Sequence, residues 1–109
     1  MAYDPVLAER LAKIIADRPG MKEKRMFGGI VYMLNGNMCV GIYKDSLIVR
    51  IGEHAAEKIL KEPHVKPMDI TGKVMKGWAI IGPEGIAKDE SLKRFCNYAI
   101  EFVLTLPTK

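Results

Sequence analysis

Apolar residues recur every three or four positions near both ends of the chain and every second position in the middle. At the N-terminal end Leu7, Leu11, Ile14 and Ile15 form one stripe of an amphipathic helix. Asp4 precedes it as an N-cap whose carboxylate accepts a backbone hydrogen bond. Pro5 takes the first helical position, where a missing N–H costs nothing. Arg18-Pro19-Gly20 ends the helix. At the other end Asp89 caps a helix carrying Leu92, Phe95, Cys96, Ala99, Ile100, Val103 and Leu106 at helical spacing, and Pro107 marks its end.

Between Met26 and Ile51 the period changes to that of strands. Asn35-Gly36 stands between two apolar runs, and both residues tolerate the positive φ of a type I′ turn, so a hairpin is expected there. An unbroken ladder from that turn pairs Leu34 with Asn37, Met33 with Met38, Tyr32 with Cys39 and Val31 with Val40. A second turn at Asp45-Ser46 pairs Lys44 with Leu47 and Ile42 with Val49. Side chains alternate along a strand, so this register sorts the residues into two faces. The expected core face holds Phe27, Val31, Met33, Met38, Val40, Ile42, Leu47, Val49 and Ile51. The opposite face holds Met26, Ile30, Tyr32, Cys39, Gly41, Tyr43, Ile48 and Arg50.

A short helix over 54–61 follows, with Ala55, Ala56, Ile59 and Leu60 pointing inward until Glu62-Pro63 stops it. Two further strands are expected near Met68–Thr71 and Trp78–Ile81, with Trp78 packed into the core and a turn at Gly82-Pro83-Glu84-Gly85. The element order is α-β-β-β-α-β-β-α. Consecutive hairpins favour an antiparallel sheet with helices on one face, an α+β domain spanning 1–109.

Composition narrows the functional classes. With 109 residues, 49% of them hydrophobic and 28% charged, the chain matches one ordinary folded domain. No apolar run approaches the roughly 20 residues that cross a bilayer, and the N-terminus lacks the pattern of a signal peptide. The expectation is a cytoplasmic protein that does not engage membranes. The net charge of +4 is spread along the chain without a block of like charge. Cys39 and Cys96 lie inside apolar segments and read as small core fillers rather than as a disulfide.

Several blocks in order carry a family resemblance: Arg25-Met26-Phe27-Gly28-Gly29, Leu34-Asn35-Gly36-Asn37-Met38, Lys44-Asp45-Ser46-Leu47, Pro63-His64, Pro67-Met68-Asp69 and the run from Thr71 to Trp78. Together they resemble the N-terminal domain of the TfoX/Sxy competence regulators over essentially the whole chain. The resemblance implies a two-layer α+β fold with a five-stranded antiparallel sheet. It also implies a role near transcription, since the family's namesakes promote expression of DNA-uptake genes in bacteria alongside another transcription factor. Those regulators carry a second, C-terminal domain, and this sequence stops where the first would. The resemblance brings no catalytic residues with it.

The residues themselves offer little chemistry. His54 and His64 are separated by a helix and a proline, so no set of three or four metal ligands is expected. Ser46 and Ser91 occupy a turn and a first helical turn, and no G-x-S-x-G elbow surrounds a nucleophile. Gly28-Gly29 belongs to neither a P-loop nor a dinucleotide fingerprint and reads as a bulge or close backbone approach. Cofactors and metals are therefore not expected.

Two binding surfaces remain. The second sheet face would present Ile30, Tyr32, Tyr43, Ile48 and Arg50, a mixture typical of protein interfaces, to a protein partner or a second copy of the chain. The segment from Lys66 to Trp78 sets Lys66, Lys73 and Lys76 against a single acid, Asp69, and is the candidate contact for phosphates. The leading expectation is a non-enzymatic regulatory or adaptor domain acting through protein–protein contacts. Direct nucleic-acid binding through the lysine loop is the alternative, and a small-molecule enzyme comes third.

Overall fold

The first helix begins as its cap dictates. Asp4 Oδ1 accepts from the backbone N–H groups of Val6 and Leu7 at 2.9 and 3.4 Å, and α1 runs Pro5–Ile15 with Leu7, Leu11 and Ile15 buried. The computed structural model describes residues 3–26, 29–69, 72 and 75–108. Four strands follow α1: β1 Met21–Met26, β2 Gly29–Leu34, β3 Asn37–Tyr43 and β4 Ser46–Arg50. Helix α2 (Glu53–Ile59), β5 (Val65–Pro67) and β6 (Trp78–Ile81) come next. A short 3-10 turn (Pro83–Ile86) then leads into α3 (Asp89–Val103). The six strands pair antiparallel, in the order β1-β2-β3-β4-β6-β5, and an isolated parallel bridge joins Tyr3 to Lys44.

The α+β class, the positions of the helices and the Asn35-Gly36 hairpin are as expected, except that Asp89 is the first residue of α3 rather than its cap: Lys88 holds the N-cap position, without a side-chain cap bond. Asn35 (φ 54°) and Gly36 (φ 85°) adopt the left-handed pair that a type I′ turn requires. Among the described residues the sheet has six strands rather than five, because the charge-rich segment Met21–Met26 pairs along its whole length with β2. The fifth strand falls at Val65–Pro67, ahead of the expected Met68–Thr71; Ile70 and Thr71 lie outside the described residues. Pro67 is tolerated there because β5 is an edge strand. The second hairpin turns at Lys44-Asp45, with Lys44 at φ 57°, so that Ile42 pairs with Leu47 instead of Val49.

The largest correction lies in the β2–β3 ladder. Met33 pairs with Met38 as expected, but Tyr32 pairs with Val40, which leaves Cys39 as an extra residue on β3. This is a β-bulge, and it breaks the alternation of faces: Cys39 and Val40 both point to the core. Ile30 and Tyr32 therefore join Val40, Ile42, Leu47 and Val49 under the helices, while Val31, Met33 and Met38 share the opposite face. Phe27, also expected in the core, lies outside the described residues.

One core cluster unites α1, α2, α3 and the 3-10 turn with that single face of the sheet. Phe95, Cys96, Leu92 and Ala99 of α3 pack over β3 and β4 with essentially no solvent exposure. Arg10 of α1 ties down the start of α3 by donating to Asp89 Oδ1 and to the carbonyl of Ile86, at 3.1 and 2.7 Å. Arg94 grips Glu62 through two hydrogen bonds of 3.0 and 2.6 Å and lies over the Phe95 ring. This guanidinium holds the Glu62 carboxyl below its usual range. The buried Asn37 side chain donates to the Pro107 carbonyl at 2.9 Å, fastening the chain after α3 to the β2–β3 hairpin.

Candidate binding face

The face turned away from the helices is assembled by register alone. Lys24, Val31, Gly41, Ile48, Ile80 and Lys66 are successive cross-strand partners and form one row over all six strands. Lysine stands at each end and the middle is apolar. Beside this row lie Lys22, Met33 and Met38 on one side of the bulge and the Arg50–Trp78 pair further along. Val31 and Ile48 are buried, yet neither belongs to the helix-side core cluster. Met33, Met38, Tyr43, Arg50, Trp78 and Ile80 are half-buried, and Lys22, Lys24 and Lys66 are exposed.

Gly41 matters to this surface for space. A Cβ there would lie 3.0 Å from the Ile30 carbonyl oxygen, 3.5 Å from Val31 Cγ2 and 3.7 Å from Met38 Cε. The side chains of Val31 and Met38 thus lean over the glycine and form a continuous apolar floor. Both rings on the face are met by cations: the Arg50 guanidinium stands 5.5 Å from the Trp78 centroid, and Lys44 Nζ 5.4 Å from that of Tyr43. Such pairs hold a ring in place and leave its far side for contact.

The outward strand positions carry Lys22, Lys24, Arg50 and Lys66 and, among the described residues, no carboxylate. Nearby acids sit past the strand ends. Asp45 and Asp69 line a shallow depression with Tyr43, Lys66 and Ile80, and Glu53 lines another with Arg50, Lys76 and Trp78.

Of the five residues expected at a protein interface, Tyr43, Ile48 and Arg50 are on this face. Ile30 and Tyr32 are not: both are core residues, 4% and 3% exposed. The Tyr32 hydroxyl donates to Glu23 Oε1 at 3.0 Å, and burial together with that bond pushes its pKa up to about 12. Of the expected anion contacts, Lys66 joins the open face, while Lys76 sits in the turn before β6, near its Trp78 end, beside Glu53. Lys73 lies outside the described residues. Trp78 opens β6 as expected but points to the open face, half-buried. Sequence reasoning missed Lys22 and Lys24, whose signal is the alternation Lys22-Glu23-Lys24-Arg25 in a segment that it assigned to no element.

The helix side offers little for catalysis. Burial raises the thiols of Cys39 and Cys96 to about 12, so both remain protonated and weakly nucleophilic at neutral pH. His64 stands 3.6 Å from Glu84 on the surface. Among the described residues no three His, Cys, Asp or Glu side chains converge as metal ligands, and no helix is long and apolar enough to cross a membrane.

The architecture is that of an open-faced α+β domain, with one side of its sheet sealed by helices and the other offered as a basic, methionine-lined surface. The family model of the TfoX N-terminal domain matches residues 13–103, and the chain belongs to that family. No curated protein and no solved structure matches it.

Proposed function

We propose that this chain is a non-enzymatic regulatory or adaptor domain of the cytoplasm, linked to transcription regulation through protein–protein contacts at its open sheet face. The observation that carries this reading is the half-buried apolar surface of Met33, Met38 and Ile80, none of which belongs to the helix-side core cluster. Methionine adapts its shape to a partner and is over-used at binding surfaces. Tyr43, Trp78 and Arg50 are the residue types that dominate interface energetics. Membership of the TfoX N-terminal family supports a regulatory role.

A photo-crosslinking amino acid placed at Ile80 tests the reading in the cell of origin, with the exposed Lys93 of α3 as control position. The expected result is one protein adduct from Ile80, lost when Met33→Asp is added, and none from Lys93. Adducts of equal yield from both positions, or adducts to nucleic acid alone, would overturn it.

A further inference from the structure

We infer that the occupant of the open face is an acidic amphipathic helix of a partner protein, an inference that rests on the adaptor reading above. Charge is the first argument. The chain has 17 lysines and arginines against 13 acids. Lys22, Lys24, Arg50 and Lys66 stand at outward strand positions where, among the described residues, no carboxylate stands, so this face is basic within a chain of net charge +4. A partner that neutralises this face must bring carboxylates or phosphates.

The floor decides between them. Between the end lysines the row is hydrocarbon without a hydrogen-bonding group: Val31 and Ile48 are buried, and Ile80, with Met33 and Met38 beside the row, is half-buried. Phosphates laid there would lose water without replacement. A stacking platform for bases sets several aromatic faces along a groove, whereas the described outward positions carry two rings, Tyr43 and Trp78, each with a cation over one side. An apolar stripe flanked by carboxylates meets both demands of the surface.

The helical form follows from the sheet itself. Backbone N–H and C=O groups within a sheet bond between strands, so its face offers side chains only, and a segment lying on it must satisfy its own backbone. A helix does so. The row from Lys24 to Lys66 crosses five strand intervals, about 24 Å at the usual spacing, which corresponds to about 16 helical residues. The occupant therefore carries apolar anchors at helical spacing with acidic residues toward both ends. A second copy of the chain is excluded by the same charges, since two such faces would set four cations against four.

The probe is a fluorescein-labelled helix-forming peptide of about 16 residues, with a leucine–methionine stripe and glutamates on its flanks. Its glutamate-to-lysine counterpart and a single-stranded oligonucleotide of similar length serve as comparisons. Anisotropy titration of the full chain should show binding of the acidic peptide that weakens about tenfold or more between about 50 and 500 mM salt. Lys24→Glu with Lys66→Glu should abolish it with the thermal midpoint unchanged, whereas Lys13→Glu with Lys93→Glu, on exposed helix positions, should not. The inference is overturned if the lysine peptide binds equally, if the oligonucleotide binds more tightly, if the helix-side pair weakens binding as much, or if the acidic peptide does not bind. A protein adduct at Ile80 without acidic-peptide binding removes the acidic helix and leaves the adaptor reading standing; loss of both removes both.

Discussion

The two faces of this sheet are built from the same strands and both carry apolar residues, yet they differ in kind. The helix side is made of Ile30, Val40, Ile42, Leu47, Val49 and Ile81, branched side chains almost without exposure. The open side has branched Val31, Ile48 and Ile80 along its central row and surrounds them with Met33, Met38, Tyr43, Trp78 and Arg50, long or amphipathic side chains left half-buried and framed by lysines. Branched residues interlock with a permanent neighbour, and flexible ones conform to a visiting neighbour. Hydrophobicity alone does not separate the two faces here. Shape and charge do.

That contrast can be broken most sharply at Phe95, which is buried against the helix side. Phe95→Ala should cost about 3–5 kcal/mol in denaturant unfolding, the usual result of emptying an aromatic site in a packed core. A loss below about 1 kcal/mol would mean that this face is loosely packed and the contrast fails.

Alkaline titration probes the same side. Tyr32 ionises near 10 when unfolded and near 12 when folded. The folded state therefore holds its proton more tightly, and the stabilisation, complete below pH 10, is lost as pH rises to 12. From Tyr32 alone this is on the order of 2–3 kcal/mol. Cys39 and Cys96, with ordinary values of 9 raised to about 12, extend the loss down to pH 9. Urea midpoints measured across that range should fall steadily, and Tyr32→Phe should lessen the fall between pH 10 and 12, leaving the share that the two thiols contribute there.

The hairpin that sets both faces comes next. Gly36→Val forces a β-branched residue to φ 85° and should destabilise by about 1–3 kcal/mol. An unchanged chemical midpoint would show that the turn does not fix the register. The smallest effect belongs to the open face, where Ile80→Ala should cost less than about 1 kcal/mol in a thermal melt. A cost as large as that of Phe95→Ala would make the open face a second core and remove the docking reading.

How far the sequence could be read depends on the range over which each feature is determined. Helix α1, helix α3 and the Asn35-Gly36 turn are fixed by neighbours within a few residues, and all were legible. The bulge at Cys39 was not, because two successive inward residues look the same in sequence as an ordinary strand. Missing it left Val40, Ile42, Leu47 and Val49 on the correct face but exchanged Ile30 and Tyr32 with Val31 and Met33. Strand β1 was illegible for another reason: Met21-Lys22-Glu23-Lys24-Arg25-Met26 is charged on both sides, since an edge strand needs little burial and benefits from lysines that discourage further pairing. The site was legible in the same proportion. Tyr43, Ile48, Arg50 and Lys66 follow from local alternation, whereas joining them to Lys22 and Lys24 requires the order of the strands.

The bulge also gives the sheet a point of tolerance to change in length. A strand keeps something like a reading frame, in which removing one interior residue inverts every side chain beyond it. Loss of Ile48 would carry Val49 out of the core and Arg50 into it. Cys39 is the exception: without it, Met38 and Val40 would alternate regularly against Met33 and Tyr32, and every remaining side chain would keep its face. The sheet can therefore change by one residue at this position while its sealed side and its open side both keep their composition.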